Sequence, residues 1–148
     1  MKLLGVMIPT IHVEACLSKQ QLDARLRELA ILRIARLSAA EYEWVQHVPI
    51  AEIAGVTAAQ IEALERGEIE AACFDPVERA VLRFTSEVVR DVRASDATFA
   101  ELGRWLGHRE VVELVLAIGY YMLIARLLET TGVDLEPAAG KRLIDAIE

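Results

Sequence analysis

Apolar residues recur along this chain at spacings of three and four, and no stretch keeps the alternation of a strand. The segment from about Leu22 to Leu37 is apolar over most of its helical circumference. Arg25, Arg33 and Arg36 gather on one side of it, and Arg27 and Glu28 stand apart from them. A helix of that kind belongs at the centre of a fold. Ser38-Ala-Ala-Glu41 reads as a capping box for a second helix, which meets Pro49 and stops at Gly55. Pro49 removes the donor for the Val45 carbonyl, so a bend is expected there. Thr57-Ala-Ala-Gln60 opens a short third helix ending near Gly67. Asp75-Pro76-Val77-Glu78 places a cap, a proline at the first helical position and a carboxylate on the positive end of a fourth, running to about Arg93. Ser95 opens a fifth, ending at Gly107, and a sixth runs from about Arg109 to Thr131 and stops at Gly132. This last helix is apolar almost all round, which predicts burial within the subunit or between subunits. Residues 133–140 read as a loop, with a short tail helix after it. Six helices on short turns predict an all-α six-helix bundle, one domain spanning residues 1–148.

Composition sharpens that picture. The chain has 148 residues, 54% of them apolar, and 22 alanines against four prolines favour helix. Its formal net charge is −7 and no basic stripe runs along it, so nucleic acid is not the expected partner. Thirteen of its sixteen basic residues are arginine, which supplies guanidinium groups for anions. Cys16 and Cys73 form neither a CxxC pair nor a metal knuckle, as expected of buried thiols in a reducing cytoplasm. Met1 to Pro9 does not read as an export signal. The most apolar run, Leu114 to Ala125, is shorter than the roughly 20 residues that cross a bilayer. A soluble, cytoplasmic protein with no membrane partner is the expectation.

Polar residues on faces that ought to be buried carry the chemistry. Glu28 has Ala24, Ile31, Leu32 and Ala35 as its helical neighbours, all apolar. Glu43 and His47 lie one turn apart, in a stripe with Ala40, Ile50, Ala51 and Ala54. Burial of ionisable groups is costly unless they are paired, and it raises a carboxyl's pKa toward the range where it serves as an acid or base. The structural alternative is that Glu43 pairs with His47, or Glu28 with an arginine. Tyr42 and Trp44 flank the pair, as packing or as substrate-binding residues. His12 lies in an uncertain segment, and His108 follows a helix-ending glycine.

Spacing removes several rivals. A di-iron bundle needs two Glu-x-x-His pairs and a zinc protease needs His-Glu-x-x-His, and neither is present. A single divalent ion on Glu28, Glu43 and His47 is a minor alternative; the reading adopted has no metal and no cofactor. His12 and Cys16 are four apart, which is weak support for either a metal or a nucleophile. No P-loop or GxGxxG occurs.

The run from Arg27 to Arg36, RELAILRIAR, followed by EYEWVQH from Glu41 to His47, resembles the carboxymuconolactone decarboxylase family. Ile53 to Thr57, Gln60 to Leu64, Ser95 to Phe99, Glu110 to Leu114 and Gly119-Tyr120 continue the likeness, which covers about Leu22 to Pro137. The resemblance implies an alkylhydroperoxidase D-like all-helical fold and a homo-oligomer, trimer or hexamer. The family's redox branch carries a Glu, a CxxC and a His four residues after the second Cys. Here those positions are Glu28, Ala40, Glu43 and His47, so the histidine and first carboxylate remain and both thiols are missing. Without a thiolate there is no sulfenic acid or disulfide to recycle, which disfavours peroxidase activity.

The decarboxylase branch keeps the Glu and the YEWxxH segment. It implies a cofactor-independent carboxy-lyase acting on a small anionic lactone or keto acid, with Glu28, Glu43 and His47 as catalytic residues. His47 is then the proton donor or acceptor, Glu28 its relay and Glu43 the group that orients it. The chain before Leu22 is shorter than usual for the family, which puts one pocket wall in doubt or assigns it to a neighbouring subunit. The rival is a non-catalytic helical oligomer that binds a small ligand or partner; a closed, bonded pair with no cavity would favour it.

Overall fold

The computed structural model describes residues 20–132. His12, Cys16, the 133–140 loop and the tail helix lie outside the described residues. Six helices follow one another: α1 (Ala24–Leu37), α2 (Glu41–Ile53), α3 (Ala58–Glu65), α4 (Pro76–Asp91), α5 (Asp96–Leu102) and α6 (His108–Thr131). Among the described residues there is no strand, and the all-α bundle is the architecture.

Helix α1 is the axis. Asp23 caps it by accepting from the N–H groups of Arg25 and Leu26, and every residue from Glu28 to Ala35 is buried. Helices α2, α3, α4 and α6 pack around it, as its apolar circumference predicts. Glu113 of α6 ties down the approach to α1. Its Oε2 accepts from the N–H groups of Gln21 and Leu22 at 2.8 Å each, and its Oε1 accepts from Arg109 at 2.9 Å.

Three caps form as the sequence indicates. Thr57 and Gln60 make the reciprocal box of α3, Asp75 and Glu78 that of α4 with Pro76 in its first turn, and Ser95 caps α5. Ser38 does not cap α2. It is the C-cap of α1, its N–H donating to the Ile34 carbonyl. Ala39 then adopts a left-handed φ of 51°, and the Ala40 N–H reaches the Ala35 carbonyl at 2.9 Å. This closure satisfies α1's final carbonyls and leaves Ser38 outside α2. Ala40 takes the N-cap position, with no side-chain bond. Helix α2 continues through Pro49 to Ile53, and α5 ends at Leu102, earlier than expected, with Gly107 as the N-cap of α6.

Helix α6 narrows one expectation and removes the ground of another. One side, including Leu114, Ala117, Ile118 and Ala125, is buried, but Val112, Val115, Leu116 and Leu123 are exposed, so one chain does not cover it. At 24 residues, with a mean hydropathy of 2.0 over its most apolar window, it is also long and apolar enough to cross a membrane by length and composition. The shortness of the Leu114–Ala125 run is therefore no argument on that point. In the fold it packs on α1, α2 and α4.

Candidate functional site

The tight α1–α2 turn sets two helices side by side and brings their buried polar residues together. Glu28, 2% exposed, sits in the second turn of α1. Its Oε2 lies 2.8 Å from His47 Nδ1 on α2. Arg27 Nε stands 3.4 Å from the other carboxyl oxygen. The contact occupies Nδ1 and leaves Nε2 as the ring nitrogen turned away from Glu28. The ring is held further by Tyr121 of α6, which meets it edge-on at 4.9 Å between centroids. Tyr120 packs edge-on against Tyr121 in turn, at 5.2 Å. Burial, and then the Glu28 carboxylate, push the Tyr121 phenol well above its usual range, so it stays protonated.

Glu43 behaves differently from its assigned role. It is 2% exposed, and neither of its carboxyl oxygens has a hydrogen-bond partner. The group that orients His47 is Glu28, not Glu43. Sharing a helix face at a spacing of four brings two side chains near each other but does not oblige them to bond. Burial first, and the negative charge of Glu129 second, push the Glu43 carboxyl up to about 8. At neutral pH it holds a proton.

The flanking aromatics separate. Trp44 belongs to the hydrophobic core, and the Arg36 guanidinium lies 4.6 Å from its ring centroid, an arrangement of packing. Tyr42 is half-buried. Tyr121, the aromatic that touches the pair, was not singled out from the sequence; its signal is a phenol in the middle of the most apolar helix. Ala40 is buried and thiol-free at the start of α2. Cys73 is half-buried, with Sγ 3.7 Å from the Ala59 carbonyl, and His108 is the exposed first residue of α6. Among the described residues no group of three or more His, Cys, Asp or Glu could hold a metal ion, so the Glu28, Glu43 and His47 trio is not arranged as a ligand set.

Two of the cavities are lined by described residues. One of about 410 Å³ lies between the ends of α1, α4 and α6, lined by Ser38, Arg90, Arg126 and Glu129 among others. The second, of about 390 Å³, lies between the α1–α2 turn and the end of α3. Glu28, Glu43 and His47 line neither.

The chain is thus an all-helical bundle with a carboxylate–imidazole pair between its first two helices. The model of the carboxymuconolactone decarboxylase family matches residues 9–87, more than half of the chain, and the chain belongs to that family. Two solved structures share the fold. One is a protein of unknown function from Agrobacterium tumefaciens, described as a candidate antioxidant defence protein AhpD. It is 21% identical with a TM-score of 0.75, over 90% of this chain and 89% of its own. The other is an uncharacterised peroxidase-related protein from Silicibacter sp. TM1040. It is 17% identical with a TM-score of 0.75, over 86% of this chain and 68% of its own. No curated protein matches the chain.

Proposed function

We propose that this chain is a cofactor-independent decarboxylase acting on a small anionic lactone or keto acid. The observation that carries the reading is the 2.8 Å contact between Glu28 and His47 Nδ1, which fixes the imidazole with Nε2 free for a proton. When the carbon–carbon bond to a substrate carboxylate breaks, carbon dioxide leaves and the electron pair passes to the adjoining carbonyl. One proton must then reach carbon. His47 delivers it through Nε2 after taking it from solvent, and the Glu28 carboxylate steadies the imidazolium. Glu43, neutral by virtue of its burial, has a hydrogen to donate to the developing enolate oxygen.

The test is a screen of lactones and keto acids with carbon dioxide release as the readout, followed by His47→Ala on whichever substrate turns over. General acid–base groups contribute about 10²–10⁴-fold, so the variant should fall by at least about 100-fold with fold and assembly intact. An unchanged rate sinks the assignment. A relict, non-catalytic oligomer is favoured by one observation, that Glu28 and His47 are bonded to each other. That reading stands if the screen is empty. Peroxide reduction is disfavoured by Ala40 and Glu43 at the thiol positions, and a dithiol-coupled peroxidase assay should be negative.

Self-association belongs to the same proposal. Val112, Leu116, Gly119 and Leu123 share the uncovered side of α6 at spacings of four, three and four, the seam of a helix that packs on another. A homotrimer or a dimer of trimers through α6 would cover it. Sedimentation at low micromolar concentration decides this, and a clean species of 16.4 kDa refutes it.

A further inference from the structure

Three arginines share one side of α1, and two of them are answered by carboxylates. Arg25 lies 2.9 Å from Glu78 and 3.5 Å from Asp75. Arg36 lies 3.5 Å from Glu65 and 3.7 Å from Glu41. Arg33 is the exception, and it is the most buried of the three, at 5% exposure. Its Nε donates to Ser86 Oγ at 2.9 Å, and that hydroxyl spends its own hydrogen on the Leu82 carbonyl at 2.6 Å. Among the described residues no carboxylate comes within 4 Å of its guanidinium. The charge that acts on it is another cation's: burial, and then Arg90, hold the guanidinium below its usual range. A buried cation without a counter-ion is costly. Such a group is retained at least cost where the counter-ion comes from outside the chain.

The geometry offers a place for one. Arg33 Nη1 stands 3.9 Å from where a side chain on Gly67 would begin. Both residues line the 390 Å³ cavity, with Arg36 and Arg66 beside them and the carboxylates of Glu41 and Glu65 also on its wall. Those two carboxylates are mostly exposed and hold Arg36 only loosely. Arg66 leans on Glu68 at 3.1 Å and more distantly on Glu62 at 3.9 Å. The uncapped start of α2 adjoins the same space through Ala39 and Glu41, and its free N–H groups add to the positive side of the balance.

We propose that this cavity binds a small oxyanion, a carboxylate or a phosphate, with Arg33 as its buried partner and Arg36 and Arg66 at its mouth. The site lies round α1 from Glu28, five positions along the helix, so it is independent of the acid–base reading. A planar guanidinium fork with both terminal nitrogens uncommitted suits a two-oxygen contact.

The test titrates the full chain with inorganic phosphate and, separately, with malonate, each against sodium chloride at matched ionic strength, by calorimetry. Saturable binding of either ion at one site per chain is expected, and which ion binds identifies the source of the chemistry. Arg33→Met, which keeps the apolar stem and removes the charge, should weaken it at least tenfold. Arg66→Glu changes an exposed position with little bearing on folding and should weaken it at least threefold, which keeps the test decisive if Arg33→Met does not fold. No saturable binding of either ion overturns the proposal, as does an affinity unchanged in Arg33→Met, or in Arg66→Glu where that variant alone can be measured.

Discussion

Glu78 and Glu43 are two carboxylates buried to almost the same degree, 1% and 2% exposed, and the fold treats them in opposite ways. Glu78 Oε2 accepts from the Asp75 N–H at 2.8 Å and from the Gln60 amide at 2.9 Å. Its Oε1 lies 2.9 Å from Arg25 Nη2, an ion pair whose angle does not make a hydrogen bond. One carboxylate thus ties α1, α3 and α4 together. Glu43 has no bond at all, faces the like charge of Glu129, and keeps its proton instead. Burial alone therefore says little about what a carboxylate is for. The partners decide whether it acts as a joint or as a store of a proton.

Removing the joint should do the most harm. Glu78→Ala strips the acceptor from two donors and the counter-charge from Arg25, and should cost about 2–3 kcal/mol by chemical denaturation. The low end of the range for a broken buried pair applies, because Arg25 is a third exposed and can turn to water. Activity per folded molecule should not change. A loss below about 0.5 kcal/mol would mean that Glu78 is no joint.

Glu43→Gln tests the other half. The folded carboxyl is pushed up to about 8 from an ordinary 4.5, so the native state holds an extra proton between those values. The contribution of Glu43 to stability is then highest below about pH 4.5, falls by no more than about 1.4 kcal/mol per pH unit as pH rises, and levels off above 8. The amide cannot ionise, so the variant should lose that slope and exceed the wild type at pH 9, by roughly 2 kcal/mol once relaxation is allowed for. Identical pH profiles would place the proton elsewhere. The smallest effect belongs to Gln60→Ala, which removes one of Glu78's donors and the capping partner of Thr57. It should cost about 1 kcal/mol in thermal melts, and additivity with Glu78→Ala would show that the two do not act together.

The helices were legible because their ends are written in side chains that bond over three residues, as at Thr57 and Gln60 or Asp75 and Glu78. Ser38 misled because its box competes with a backbone closure through Ala39, and a left-handed alanine leaves no mark in a sequence. Glu28 was legible as a charge among apolar neighbours. The choice of Glu28 over Glu43 as His47's partner was not, since a helical wheel shows which residues share a face and not which helix that face meets. Arg33 read only as one of three arginines on one side of α1. The α4 helix that covers it, through Ser86, is more than fifty positions away, and nothing local signals so distant a neighbour. Tyr121 escaped for a similar reason: its place beside His47 depends on how α6 docks.

The order of the helices bears on how the chain is made. The central helix α1 leaves the ribosome before the other described helices, and α6, which covers one side of it, is the last of the six. For most of synthesis that side of α1 has no neighbour, while the pair formed by Glu28 and His47 can already close across a separation of 19 residues. The nascent chain thus passes through a period with an apolar groove open and its most hydrophobic helix still inside the exit tunnel. A pause or cut before His108 releases a chain with the half-built site and none of its cover, the species on which a chaperone or a protease would act first.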